Sequence, residues 1–229
     1  MTKKILGVLG GMGPAASAEF MRLLAVRFPA QRDQDHPIVY LLSDPTIPDR
    51  STAVTSGGTD PGPQIRADLL KLVSWGAQVL AVPCNSAHCF IDRFRSELPV
   101  PLVHIVDATL AAASAKAPNG SWMVATLGTI QAGLYQRRAA QIGYRLAVPP
   151  EEIKQKIQNI IVDVKAGELT KAAGKMESAV GQLWNIEKLP VTTACTELPL
   201  AYEASSLPQE LNVSSLSALA DACIRAITE

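Results

Sequence analysis

Two cysteines, Cys84 and Cys195, stand out for their surroundings. Each follows a short apolar run, AQVLAVP in one case and KLPVTTA in the other, and each precedes small polar residues, Asn85-Ser86 and Thr196-Glu197. The runs read as buried strands and the polar pairs as helix openings. A cysteine at a helix N-terminus feels the positive end of the backbone dipole, which lowers its thiol pKa. Free N–H groups there also face any anion beside the sulfur. One such thiol could serve as a covalent nucleophile. Two, contributed symmetrically, could stand on opposite faces of one bound carbon, one removing a proton while the other supplies one. The competing account is that both are small hydrophobes filling a core. His88 lies four residues beyond Cys84, on the same face if the segment is helical. It would either influence the thiolate or pack and bond to backbone. Cys84-x4-Cys89 has no second ligand pair in the chain, so no zinc site is expected.

The elements that must position these thiols follow from the hydrophobic pattern. Strands are expected near 4–10, 37–42, 78–83, 101–105, 121–126, 144–147, 190–194 and 211–213. Helices are expected near 14–28, 63–75, 86–97, 107–115, 131–142, 150–165, 168–186 and 214–227. Strands alternating with helices mean βαβ units and a largely parallel α/β fold. A weak internal repeat divides it: KKILGVLGGMGPAAS is echoed by GSWMVATLGTIQAGLY, and AQVLAVPCNSAH by KLPVTTACTELPL. Gly11 and Gly128 are 117 residues apart, Cys84 and Cys195 are 111 apart. Two pseudo-symmetric α/β domains account for this, each a mostly parallel sheet flanked by helices, with the site between them. The first would comprise 1–105 plus 206–229, the last helix returning to complete it, and the second 106–205. Ligands in open α/β sheets bind beyond the carboxyl ends of the strands, so both thiols would face one cleft. The stretch 43–63 is a long Pro/Gly/Ser/Thr loop, of a length associated with lids and binding loops.

Composition narrows the partners. The 229 residues carry 21 Lys+Arg against 21 Asp+Glu, which leaves no basic excess for nucleic acid or an anionic membrane. The 48% hydrophobic content is that of a globular chain, and 18% charged residues are too few for a disordered one. Lys3-Lys4 and the apolar run after them imitate an export signal, but Gly10-Gly11 and Pro14 interrupt it. The uncharged windows 72–91 and 117–136 contain Pro, Gly, Asn and Ser and read as strand, turn and helix rather than membrane spans. A cytoplasmic protein with four reduced cysteines is expected, with no membrane or nucleic-acid partner.

GGMGPAAS, IPDR, PCNSAH, ATLGT, VKAGEL and ACTELPL resemble, in that order, the landmarks of aspartate racemases in the aspartate/glutamate racemase family. The resemblance covers nearly the whole chain, and the paired cysteine motifs are its most specific part. It implies cofactor-independent racemisation by two bases and one proton, with Cys84 and Cys195 as the acid/base pair. It also implies a homodimer, no metal or PLP, and a small acidic amino acid as substrate. Met12 falls in the first motif and is carried into the substrate site on that basis. Arg50, in the long loop, would grip the side-chain carboxylate in a bidentate manner, as guanidinium does. Lys165, at a helix end where a cation is favourable for the dipole alone, would by resemblance reach the same carboxylate. Asn85, Ser86, Thr126, Thr129 and Thr196 sit at expected strand-to-helix turns, where they either cap helices or donate to the substrate's α-carboxylate; the two roles are compatible. Glutamate racemases carry D-S-G near the start and C-T-H at the second cysteine. This chain has Gly10-Gly11-Met12-Gly13 and Cys195-Thr196-Glu197, which favours aspartate, with glutamate or broader specificity as the alternative.

Glu197 would oppose a thiolate on Cys195 by like charge, so Cys84 is expected to rest as base and Cys195 as acid. Two rival readings start from the same residues. Gly11-Met12-Gly13-Pro14-Ala15-Ala16 fits a dinucleotide motif with Asp44 downstream, but Pro14 lacks the N–H a pyrophosphate would need there. A two-lobed amino-acid-binding protein would share the fold but would not need cysteine in both half-motifs.

Overall fold

The computed structural model describes residues 3–229. Among these residues the strands are β1 (Leu6–Gly10), β2 (Val39–Ser43), β3 (Val79–Ala81), β4 (Leu102–Val103), β5 (Ser121–Val124), β6 (Leu146–Ala147), β7 (Val191–Thr193) and β8 (Asn212–Ser214). They form two four-stranded parallel sheets, ordered β2-β1-β3-β4 and β6-β5-β7-β8. The same order in both sheets is the physical content of the sequence repeat: β1 corresponds to β5, and β3 to β7. The central strands β1, β3, β5 and β7 are buried throughout, as parallel strands covered on both faces must be. This explains why they read as unbroken apolar runs rather than alternating ones.

The helices are α1 (Pro14–Arg27), α2 (Arg50–Thr55), α3 (Gly62–Ser74), α4 (His88–Ile91), α5 (Ile105–Lys116), α6 (Leu127–Ala132), α7 (Leu134–Gln141), α8 (Glu151–Lys165), α9 (Leu169–Ile186), α10 (Leu198–Glu203) and α11 (Ser215–Thr228). Every expected strand is present within a few residues, and so are most helices. Three regions differ. The expected helix 86–97 is only the short α4 followed by a 3-10 turn at Arg95–Glu97. The expected helix 131–142 breaks at Gly133, which takes a left-handed conformation with φ of 67° and separates α6 from α7. The loop 43–63 contains α2, started by the Asp49 carboxylate, which accepts the Thr52 N–H at 2.7 Å.

The last helix, α11, packs on α1 and α5, and its Leu216, Leu219 and Cys223 join a core that also holds Leu6, Phe20, Val106 and Tyr135. The strand before it behaves otherwise. β8 pairs with β7 in the second sheet, so the chain returns toward the first half only after Ser214, not at residue 206. In both sheets the strand order reverses between the first strand and the third, the place where the loops leaving the carboxyl ends separate and open a crevice. No described helix is long and apolar enough to cross a membrane.

Candidate active site

Four turns meet at these crevices, one after each of β1, β3, β5 and β7, and they enclose a cavity of about 20 Å³. Met12 enters from the turn after β1; Cys84, Asn85 and Ser86 from that after β3; Thr126 and Thr129 from that after β5; Cys195, Thr196 and Glu197 from that after β7. Arg50 on α2 and Lys165 at the end of α8 complete the wall. Every residue expected to act in catalysis or substrate binding therefore lines one space. Asp49 and Ser51 also line it and were missed; the Asp-Arg-Ser-Thr order, an N-cap before a short helix, was the available signal.

The close approach of the turns depends on glycine. Gly11 has φ of 91°, and a Cβ there would stand 2.4 Å from the Asp44 carbonyl carbon. At Gly128 a Cβ would stand 2.7 Å from the Cα of Ser51, so α2 and α6 meet across the two halves only because that position has no side chain.

The polar atoms of the cavity can be followed one by one. Thr126 caps α6: its hydroxyl accepts the Thr129 N–H at 3.0 Å and donates to the Thr129 hydroxyl oxygen at 2.9 Å. The Thr129 hydroxyl proton is thereby left unspent. The Asn85 Nδ2 donates to Ser215 at 3.1 Å, its Oδ1 accepts from the Tyr135 hydroxyl at 2.6 Å, and one amide proton remains. Arg50 is buried, with Nη1 donating to the carbonyls of Ile47 and Pro48 at 3.0 Å and Nη2 to that of Met12 at 3.4 Å. Its Nε is buried without a partner. The Nε–H and the Nη2 proton not given to Met12 are therefore the guanidinium donors left for a carboxylate.

The two thiols differ in their partners. The Cys84 Sγ lies 3.6 Å from the Ser86 hydroxyl, whereas the Cys195 thiol donates to the Glu197 Oε2 at 3.1 Å. Burial first, then the Glu197 charge, pushes the Cys195 thiol well above its ordinary range. The expected lowering at a helix N-terminus does not occur there. The residues after each cysteine form tight turns instead, with Cys89 N–H bonded to Ser86 and Leu198 N–H to Cys195, and the helices that follow are short. The second Glu197 oxygen, Oε1, is buried and unpartnered. For Asp49, burial pushes the carboxyl up, but the Thr52 hydrogen bonds and the Arg50 and Lys165 charges outweigh it and hold it low.

His88 resolves to the second of its two expected roles. Its Nδ1–H donates to the Cys84 carbonyl at 2.9 Å and its Nε2 accepts the Ile105 N–H, so it fastens the turn rather than touching the sulfur. Asp44 is spent on Thr46 and Gln64, not left free for a ribose. Among the described residues, no three His, Cys, Asp or Glu side chains converge on a point that would hold a metal ion.

Two larger cavities adjoin the small one. A cavity of about 690 Å³ shares Asp49, Ser51, Thr126 and Lys165 with it, and another of about 430 Å³ shares Arg50, Lys165 and Glu197.

Two α/β halves of one strand order, each delivering a thiol and a hydroxyl-rich turn to a shared cavity, define a two-lobed α/β protein with its site at the pseudo-symmetric junction. Residues 9–223 match the Asp/Glu/hydantoin racemase family, and the chain belongs to that family. It is similar to the broad specificity amino-acid racemase RacX of Bacillus subtilis (strain 168), 26% identical over 177 residues that span 70% of this chain and 71% of that protein. A glutamate racemase of Corynebacterium kroppenstedtii is 27% identical over 166 residues, 68% of this chain but only 57% of that protein. Among solved structures, the aspartate racemase of Picrophilus torridus superposes with a TM-score of 0.86 at 27% identity, over 98% of this chain and 94% of that one.

Proposed function

We propose that the protein interconverts L- and D-aspartate without a cofactor, using Cys84 and Cys195 as paired acid and base. The observation that carries this reading is the small cavity whose wall brings together both thiols, the Arg50 guanidinium with its unpartnered Nε and the Lys165 side chain. Two cations in so small a space suit a distal carboxylate. The unspent protons of Asn85 and Thr129, with Ser86 beside them, suit an α-carboxylate, while the Thr196 hydroxyl donates to the Glu197 Oε2 at 3.3 Å. The Cα proton of an amino acid is very weakly acidic, and donors aimed at the α-carboxylate stabilise the charge that develops as it leaves. The unpaired Glu197 Oε1 offers an acceptor to the ammonium group.

In one turnover the base thiolate takes the Cα proton on one face, and the opposite thiol gives its proton to the other face. The product enantiomer leaves with the roles of the two sulfurs exchanged. Glu197 keeps Cys195 protonated, so Cys84 starts as base and Cys195 as acid. The space between the thiols has room for about one water molecule, and the exposed Asp49 and Lys165 on its wall lead into the wider cavities beside it, so substrate entering from there would widen it by parting α2 from α6. Closure then strips water from the reacting carbon. The resemblance also supports a homodimer, which sedimentation of the pure protein tests.

Chiral chromatography of aspartate and glutamate incubated with the protein, with EDTA and without PLP, tests the reading. Each aspartate enantiomer should convert toward the racemate. Conversion of neither amino acid would end it. Similarity to a broad-specificity racemase favours one second reading, that glutamate or other amino acids also turn over.

A further inference from the structure

Tyr135 is wholly buried on α7 and is absent from the cavity wall, which Asn85 helps to form. Its hydroxyl donates to the Asn85 Oδ1 at 2.6 Å, while the Asn85 Nδ2 donates to the Ser215 hydroxyl at the start of α11. Three elements distant in sequence thus converge on one amide: the turn after β3, α7 and α11. An asparagine amide can turn about its last torsion and exchange oxygen for nitrogen at little cost unless its partners forbid it. Here a phenol, whose proton is its strongest hydrogen-bonding asset, faces the oxygen and leaves the second Nδ2 proton for the cavity. The other polar atoms of the amide are spent, so nothing else in the cluster competes for that proton.

We propose that Tyr135 is a positioning residue that fixes the Asn85 amide with its N–H toward the substrate's α-carboxylate. This inference rests on the racemase reading above. Without the Tyr135 hydroxyl, the Asn85 oxygen is buried with no donor, and the amide gains by rotating toward Ser215. The substrate then meets a carbonyl oxygen where it needs an N–H, and binding suffers before chemistry does.

The test is a double-mutant cycle of Tyr135→Phe and Asn85→Ala, read by kcat and KM for aspartate and by the dissociation constant of α-methylaspartate, which has no Cα proton to lose. Tyr135→Phe should weaken analogue binding and raise KM about tenfold, with a smaller fall in kcat, the scale of one misdirected buried hydrogen bond. In the Asn85→Ala background the same change should cost nothing further. Ser215→Ala, which removes the other anchor, should show a smaller loss that Asn85→Ala likewise absorbs, and it serves if Tyr135→Phe folds poorly. Multiplying losses in the double variant, or analogue binding unchanged in both single anchors, would overturn the assignment. If the unaltered protein binds the analogue yet racemises nothing, the racemase reading fails and the binding cycle still judges Tyr135.

Discussion

Replacing Glu197 by glutamine isolates the charge that separates the two thiols. The Cys195 thiol donates to the Glu197 Oε2 at 3.1 Å, and both groups are buried. At an effective dielectric of about 20, two unit charges at that separation repel by about 5 kcal/mol. The loss of a charged acceptor for the S–H works in the same direction, and the glutamine amide can turn an N–H toward a thiolate. Burial, the largest cause of the raised value, is unchanged, so the effect is partial: Cys195 should lose its proton at a lower pH in Glu197→Gln while staying above the ordinary thiol range. The assay is iodoacetamide labelling from neutral to strongly alkaline pH, with each cysteine resolved by mass spectrometry and Cys195 rates referred to Cys84 in the same sample. The alkaline limb of kcat/KM, where the acid thiol loses its proton, should move down with it. If Cys195 labels with the same pH dependence in both folded proteins, Glu197 does not set its protonation and the assignment of Cys195 as acid falls.

Three further outcomes follow from the same geometry. Arg50→Lys keeps the charge but lacks the free Nε and Nη2 donors, so KM for aspartate should rise about 10- to 100-fold with a smaller change in kcat; an unchanged KM would place the distal carboxylate elsewhere. Gly128→Ala sets a Cβ 2.7 Å from the Ser51 backbone, so α2 and α6 must separate; kcat/KM should fall at least about tenfold, and the strain and lost packing should outweigh the better helix propensity of alanine, about 1 kcal/mol, and lower the melting temperature, while full activity would show that this close approach is not required. Burial first, then neighbouring positive charge, holds His88 well below its ordinary range and His104 at about 2, so both stay neutral in the fold. Their contribution to stability is present above the unfolded value of 6.5 and is lost as pH falls, because the unfolded chain takes up protons the native one refuses. Urea unfolding should therefore show stability dropping as pH falls through that point, with a slope that approaches about 2.7 kcal/mol per pH unit from roughly one unit below it, from two histidines at 1.36 each. A flat profile there would contradict the neutral, buried state of the pair.

The parts of this protein that were legible in its sequence share a physical cause. β1, β3, β5 and β7 are central parallel strands covered on both faces, so burial wrote them as uninterrupted apolar runs. The repeat exposed the matching positions of Cys84 and Cys195 before any fold was known, because equivalent turns of equivalent sheets must fill similar space. What stayed hidden depends on partners distant along the chain. α2 lies in a stretch of Pro, Gly, Ser and Thr and is held by its packing on α6 of the other half, which local propensity cannot register. The turns after the cysteines were read as helix starts because Asn-Ser and Thr-Glu suit an N-cap; the structure closes them with tighter bonds, and burial with Glu197 then reverses the expected effect on Cys195. β8 pairs with β7 in the second sheet, and nothing in LNVSS distinguishes one sheet edge from the other. Tyr135 reads as one more apolar position of a helix, since its hydrogen-bond partner lies 50 residues away.

The central claim is that two thiols on opposite faces share one proton transfer, and isotope exchange in D2O with single cysteine variants meets it most directly. The unaltered protein, given L-aspartate, should release D-aspartate carrying deuterium at Cα while the L-aspartate remaining early in the reaction carries little. Cys84→Ala and Cys195→Ala, each shown to be folded, should interconvert no enantiomers. Racemisation that survives in either variant would contradict the two-base account.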